Sequence, residues 1–277
     1  MPLDLAWDAV LSLAGAMLVA GLAAGFVAGL LGVGGGIVIV PVLFQVFTFL
    51  GIDPAVKMHL AVGTSLATII LTGALSTRSH HRRGSVDIAL LKSWGPAILA
   101  GVVLGSVLAG FVSGEALTGV FAAVALIVAA HMALTPEGTT LAARLPGGLG
   151  RLGIGAMIGT ISTLMGIGGG TLSVPILSLF NYPIRKAVGT AAAIGLIIGV
   201  PGTIGFVAGG LGADGLPPLS IGYVNLVGFA LIVPASMLMA PQGARAAHAI
   251  PQAWLRRAFA AFLFLTSIRL FYTLVNA

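Results

Sequence analysis

Gly32-Val33-Gly34-Gly35-Gly36, with Pro41 five residues on, and Gly166-Ile167-Gly168-Gly169-Gly170, with Pro175 five residues on, are one phrase written twice. The offset is 134 residues for the glycines and for the proline. Further along, Ala61-Val62-Gly63-Thr64 matches Ala187-Val188-Gly189-Thr190 at an offset of 126, so the second copy has a connection shorter by eight residues. Matched landmarks at a long, nearly constant spacing mark a duplicated unit. Each glycine run lies between apolar stretches, and glycine in a helix interior favours open backbone over the helix. Each run therefore predicts a helical hairpin broken near its tip.

The medium follows from composition. Of 277 residues, 58% are apolar and 7% charged, against about 25% charged in a soluble domain. Mean hydropathy is +1.13. Too few charged side chains exist to hydrate a soluble globule, and the absence of cysteine excludes a disulfide scaffold. This is an all-α, multi-pass integral membrane protein. Ten apolar segments can be read, at about 9–31, 37–50, 60–76, 93–112, 116–134, 152–165, 171–180, 188–207, 221–239 and 259–275. Those at 37–50, 152–165 and 171–180 are short for a span of about 20 residues. Asp4 and Asp8 precede the first segment and no Lys or Arg occurs before Lys57, so that segment is not a cleavable signal and is expected to be retained.

The net charge of +6 marks topology rather than nucleic acid. Eleven of thirteen basic residues fall in four connections, 77–92, 135–151, 181–187 and 240–258, while 113–115 and 208–220 carry Glu115 and Asp214 and none. Placing the basic connections in the cytoplasm puts both termini and Lys57 outside. Copy one then begins outside and copy two inside. The expected plan is two inverted five-segment repeats, each a glycine-broken hairpin plus three spanning helices. Repeat one covers 1–134 (hairpin 9–50, helices 60–134), a cytoplasmic linker covers 135–151, and repeat two covers 152–277 (hairpin 152–180, helices 188–275). Inverted repeats of this kind underlie many secondary transporters.

Freed N–H groups at membrane depth must be buried in protein or line a cavity. The helix after each glycine run presents unpaired first-turn amides and about +0.5 of an elementary charge, a combination that attracts anions. Gly34, Gly35 and Gly36, with Gly168, Gly169 and Gly170, are the expected substrate cradle. In an inverted pair their helix N-termini approach from opposite faces. Thr171 and Ser173 add hydroxyl donors in copy two, where copy one has Ile37 and Ile39, so the cradle is expected to be asymmetric. A dinucleotide fingerprint does not fit, because position 37 is Ile and no βαβ context exists.

The two runs, each trailed by Val-Gly-Thr, resemble the sulfite exporter TauE/SafE family of bacterial membrane anion transporters, over nearly the whole chain. The family motif maps onto Gly34, Gly35, Gly36 and Pro41, and onto Gly168, Gly169, Gly170 and Pro175. The resemblance implies export of sulfite, a sulfonate or another sulfur-containing organic anion across the inner membrane.

Thr64, Ser65 and Thr190 follow a glycine near the start of matched helices and either line the substrate path or bond a carbonyl one turn back. Lys57, His59 and Arg185 lie where each hairpin meets its next helix, and are candidates for attracting anions at the two mouths. Arg269 is the basic residue well inside a segment; it is a functional candidate or a snorkelling side chain. Small-residue spacing at Gly21, Gly25 and Gly29 reads as helix packing. Trp7, Trp94 and Trp254 read as interfacial anchors. The seven carboxylates fall in loops or at segment ends, and no nucleophile–base pair, metal cluster or Walker sequence is found. No enzyme, metal or cofactor is implied. The expected partners are a small anion, membrane lipid and, as a candidate, a second copy in a homodimer; nucleic acid is not among them. The leading function is a secondary carrier working by alternating access, with an anion channel or a carrier of another organic anion such as a carboxylate as the alternative.

Overall fold

The computed structural model describes residues 7–31, 35–135, 139–247 and 251–275. Gly34, with Gly32 and Val33, lies outside the described residues. Among those described are ten helices: α1 (Trp7–Leu31), α2 (Gly36–Phe49), α3 (Pro54–Arg82), α4 (Ile88–Phe111), α5 (Gly114–Leu134), α6 (Gly148–Met165), α7 (Gly169–Leu179), α8 (Ile184–Gly209), α9 (Leu226–Ala247) and α10 (Gln252–Val275). One two-residue ribbon, β1 (Ser220–Ile221) with β2 (Val224–Asn225), precedes α9. Seven of the helices, α3 to α6 and α8 to α10, are long and apolar enough to cross a membrane. The chain is an all-α membrane protein.

Each expected segment corresponds to one helix, and the departures have local causes. Asp53 caps α3 by accepting the Ala55 N–H at 2.8 Å, and Pro54 takes the first helical position, where its missing N–H costs nothing. The helix runs on to a last turn of His80, His81 and Arg82, which places the Arg82 cation at the negative dipole end. The segment at 152–165 is longer than expected: α6 starts at Gly148, recruits Gly148 to Arg151 as a polar first turn, and reaches 18 residues. At the other end, α9 begins at Leu226 rather than 221, since Gly222 (φ +52°) turns the ribbon and Asn225 caps the helix by accepting the Gly228 N–H at 2.8 Å. Trp94 is a correction too. It is 3% exposed and belongs to the core, not to an interfacial belt, whereas Trp254 is exposed.

Packing obeys the repeat. A Cβ on Gly21 would lie 2.8 Å from the Ile232 carbonyl, and one on Gly25 would enter the Ser236 backbone, so α1 and α9 touch through their main chains. Gly155 and Gly159, at the 134-residue offset, hold α6 against Ala97 and Ile98 of α4 in the same way. Small residues allow this approach, and close contact is what stabilises helix pairs in lipid. The packing reading of Gly21 and Gly25 therefore holds. Helices α3 and α8 run antiparallel: Gly63 faces Phe206, Leu66 faces Gly202, Ile69 faces Gly195 and Gly73 faces Leu196. Helices α5 and α10 are antiparallel as well, with Gly119 beside Leu274, Ser267 Oγ donating to the Ala122 carbonyl at 2.8 Å, and Arg256 donating to the Met132 carbonyl at 3.0 Å. Two of the pairs matched by the repeat, α3 with α8 and α5 with α10, thus lie side by side in opposite directions. Exposed Leu99, Val103 and Val107 on α4, with Leu265 and Ile268 on α10, supply an apolar outer surface suited to lipid.

Candidate functional site

The glycine runs meet at the middle of the molecule. Helix α6 ends on Gly166 in the left-handed region (φ +64°), with the Ile167 N–H donating to the Ser162 carbonyl and the Gly166 N–H to the Thr163 carbonyl. That pattern is a Schellman stop, for which glycine is the favoured residue. The chain then passes through Ile167 and restarts as α7 at Gly169. In copy one the counterpart of Gly166, Gly32, lies outside the described residues, and Gly35 (φ +76°) stands at the N-cap of α2. A Cβ on Gly36 would lie 2.5 Å from the Gly166 carbonyl oxygen and 3.0 Å from Ile167 Cα, so the two breaks are in contact. Ser65 Oγ of α3 donates to the same Gly166 carbonyl at 2.7 Å, tying copy one to copy two.

The height of this crossing follows from its neighbours. Val62, Ser65 and Ile69, which touch it, lie near the middle of α3. From there α2 leads toward the Pro54 end of α3, where Lys57 sits over the Phe44 ring at 4.7 Å, and α7 leads toward the Ile184 end of α8. Because α3 and α8 are antiparallel, those ends are opposite. The N-termini of α2 and α7 therefore point at each other from opposite sides, and first-turn amides have no partner inside their own helix.

The surroundings of the two N-termini differ. Beside α7, a cavity of about 20 Å³ is lined by Gly168, Gly169 and Gly170 with Thr72, Gly73 and Ser76 of α3. That is room for about one water. Thr171 and Ser173 are buried close by in sequence, and neither hydroxyl has a hydrogen-bond partner. Beside α2, Ile37 and Ile39 are buried in the apolar core.

Thr64 and Thr190 each accept a backbone amide from a distant segment. Thr64 Oγ1 accepts the Asn225 N–H at 2.9 Å, and Thr190 Oγ1 accepts the Asp87 N–H at 2.9 Å. Each threonine thus holds the cap of a helix belonging to the other copy. The glycine before each permits the approach, since a Cβ on Gly63 would strike the Tyr223 carbonyl and one on Gly189 the Ser85 carbonyl. Tyr223 and Ser85 each stand two residues before the capping residue. At the Thr190 end the cap is acidic. Asp87 accepts the Leu90 N–H at 2.9 Å and the Tyr182 hydroxyl at 2.5 Å. The Tyr182 bond, then the Leu90 amide, hold the Asp87 carboxyl below its ordinary value, while burial and the Asp87 bond push the Tyr182 phenol up.

The cationic candidates do not converge on the crossing. Lys57 and His59 are buried, and the His59 Nε2–H donates to the Ala109 carbonyl near the end of α4 at 3.0 Å while its ring lies 4.8 Å from that of Tyr223. His59 Nδ1 has no partner. Arg185 is exposed at the start of α8, and Arg269 is exposed on α10. Among the described residues no cluster of His, Cys, Asp and Glu is arranged for a metal.

The model of the family described as "Sulfite exporter TauE/SafE" matches residues 17–270, which takes in both glycine runs. The chain belongs to the TauE/SafE family. A probable membrane transporter protein of Haemophilus influenzae is 32% identical, with 92% of this chain and 96% of that protein covered. One of Methanocaldococcus jannaschii is 25% identical over 81% of this chain and 80% of its own, and the YunE protein of Bacillus subtilis, also called a probable membrane transporter, is 28% identical over 70% and 78%. No solved structure matches the chain. The protein is a membrane transporter of this family. The residues that sequence reasoning missed are Asp87, Tyr182, Asn225 and Ser162. Three of them act through partners from the other copy or from a distant loop, and nothing at their own positions signals it.

Proposed function

We propose that the chain is a secondary transporter that exports a small sulfur-containing oxyanion, sulfite or an organosulfonate, across a bacterial inner membrane by alternating access. The two copies are inverted about the crossing, with repeat one at 1–134 and repeat two at 152–277. Both termini are periplasmic, and the anion meets the first-turn amides at Gly35–Gly36 and Gly168–Gly170. The observation that carries this reading is the contact of the two glycine breaks at mid-height, with opposed helix N-termini and a small cavity against Gly168 to Gly170. Opposed N-termini concentrate positive potential without a basic side chain. Irregular backbone at this depth is tolerated where it is buried or lines a cavity.

Under this orientation the cavity lies against Thr72, Gly73 and Ser76, on the cytoplasmic half of α3. The equivalent outer approach is filled by Leu66 and Ile69 against Gly199 and Gly202. Space on one side of the crossing and close packing on the other supports a carrier over a continuous pore. The lipid-facing belt and the candidate homodimer belong to the same proposal. Proteoliposomes loaded with sulfite, methanesulfonate or acetate test it. Saturable efflux of a sulfur oxyanion with counter-flow supports a carrier. Non-saturating conductance, or transport of acetate alone, contradicts it.

A further inference from the structure

On α3, Val62 and Ser65 touch the crossing, and one turn nearer Pro54 stands His59, on the same face as Gly63. Three rings meet there. The His59 ring lies 4.8 Å from that of Tyr223 and 6.4 Å from that of Phe206, and Phe206 meets Tyr223 edge to face at 6.5 Å. The backbone seats Tyr223: its N–H donates to the Phe206 carbonyl at 3.2 Å, and a Cβ on Gly63 or Gly210 would run into its main chain. The Tyr223 side chain itself is half-buried and covers His59 by ring contact.

The opposite end of the α3–α8 pair lacks this closure. There the Ser85 N–H donates to the His80 carbonyl, and a Cβ on Gly189 would strike the Ser85 carbonyl, so Ser85 stands where Tyr223 does. His59 is matched, at the 126-residue offset, by Arg185, which is exposed. A serine for the tyrosine and an exposed arginine for the histidine leave the corresponding point without its rings.

His59 also has a nitrogen to spare. A carbonyl only accepts, so the 3.0 Å bond to Ala109 fixes a proton on Nε2 and leaves Nδ1 a bare lone pair in the neutral ring. Nδ1 is buried and has no partner. Tyr223 is the titratable group that faces the ring. Lys57, two residues back, is turned to Phe44 of α2. Asp53, Glu115 and Asp214, at the same end, are exposed, while α4, α8 and α9 carry Lys92, Arg185, Lys186 and Arg245 at their far ends.

We propose that the Tyr223 ring gates the Pro54 end of the pair, the outer end in the orientation above, and that a proton on His59 Nδ1 opens it. With His59 neutral, the ring rests on the imidazole and the end is shut. A protonated Nδ1 is a donor and needs an acceptor, which water supplies once the ring swings aside. The attraction of a cation for the tyrosine face does not replace an acceptor for a buried charged donor. The proton is taken from water in the open state and shifts the population toward it. The proposal rests on the chain being a carrier that works through the crossing.

Efflux of methanesulfonate, whose charge is constant near neutral pH, from proteoliposomes with equal pH on both sides is the test. The wild type is expected to run about threefold or more faster at about pH 5.5 than at about pH 7.5. His59→Gln, whose amide retains a donor for the Ala109 carbonyl, should be slow at both. Tyr223→Ala should be fast at both, and Tyr223→Phe should keep the wild-type profile, since the contact is made by the ring. A histidine with a structural role alone would slow both rates in proportion, and a His59→Gln profile as steep as the wild type's overturns the switch. Should that variant fail to fold, Tyr223→Ala decides, because a wild-type profile there overturns the gate. Wild-type efflux indifferent to pH overturns the proposal and leaves the carrier standing. No methanesulfonate efflux at either pH contradicts the carrier itself.

Discussion

At the scale of single residues, the glycines divide by where they lie. Gly25, Gly159 and Gly169 each admit another helix backbone, a Cβ on Gly169 striking the Ala191 carbonyl oxygen and lying 2.7 Å from the Gly195 amide nitrogen of α8, but only Gly169, with Gly36, sits at the crossing. Gly25→Ala is expected to lower the thermal midpoint by separating α1 from α9 and to leave affinity for anion unchanged, which thermal melts and titration of one preparation separate. Thr190→Val should destabilise the chain by about 1–3 kcal/mol, since it strands the Asp87 N–H, and Thr190→Ser should restore most of that. Equal melting of wild type and Thr190→Val would show that the threonine is not part of the cap. The glycine runs were legible because four glycines in five positions leave few alternatives to a broken helix. The threonines were not, because their partners lie 103 and 161 residues away, and neither local reading of a hydroxyl in a helix anticipates a cap on a distant one.

Among elements, the Val-Gly-Thr repeat is a clamp between copies. Helix α3 of copy one holds the cap of α9, and α8 of copy two holds the cap of α4. The clamps sit at opposite ends of the antiparallel α3–α8 pair, and they differ in chemistry, Asn225 at one and Asp87 at the other. That difference gives a pH signature. Asp87 titrates below its ordinary 3.8 in the folded chain, so its contribution to stability is present above that value and is lost as pH falls through the lower, folded value. Tyr182 is shifted upward from 10.0, so its contribution is present at lower pH and is lost as pH rises beyond 10.0. Asp87→Asn keeps a capping residue, matching Asn225, and should flatten the acid limb of the melting profile as pH falls below 3.8. An unchanged acid limb would assign that sensitivity to another group. The segment count and the hairpins came through in the sequence because apolar length and glycine punctuation are local signals; the start of α6 at Gly148 did not, because a polar first turn looks like linker.

Over the whole molecule, the repeat and the charge distribution combine into one orientation. A cysteine placed at Ser79 in this cysteine-free chain should resist an impermeant thiol reagent in intact cells, and one at Asp214 should react. The reverse pattern would invert the topology while leaving the crossing in place. The all-helical membrane plan was readable because hydropathy and glycine punctuation are written along the chain, whereas the packing of Leu66 and Ile69 against Gly199 and Gly202 depends on which helices become neighbours. The proposed function rests on an anion meeting backbone amides at the crossing. The most direct measurement is sulfite efflux from proteoliposomes containing wild type or Gly169→Val, reconstituted from preparations of matched thermal stability. Efflux is expected from the wild type, with loss of about tenfold or more in the variant, as removal of a charge-assisted contact entails. Full efflux through Gly169→Val would contradict an amide site at the glycine crossing.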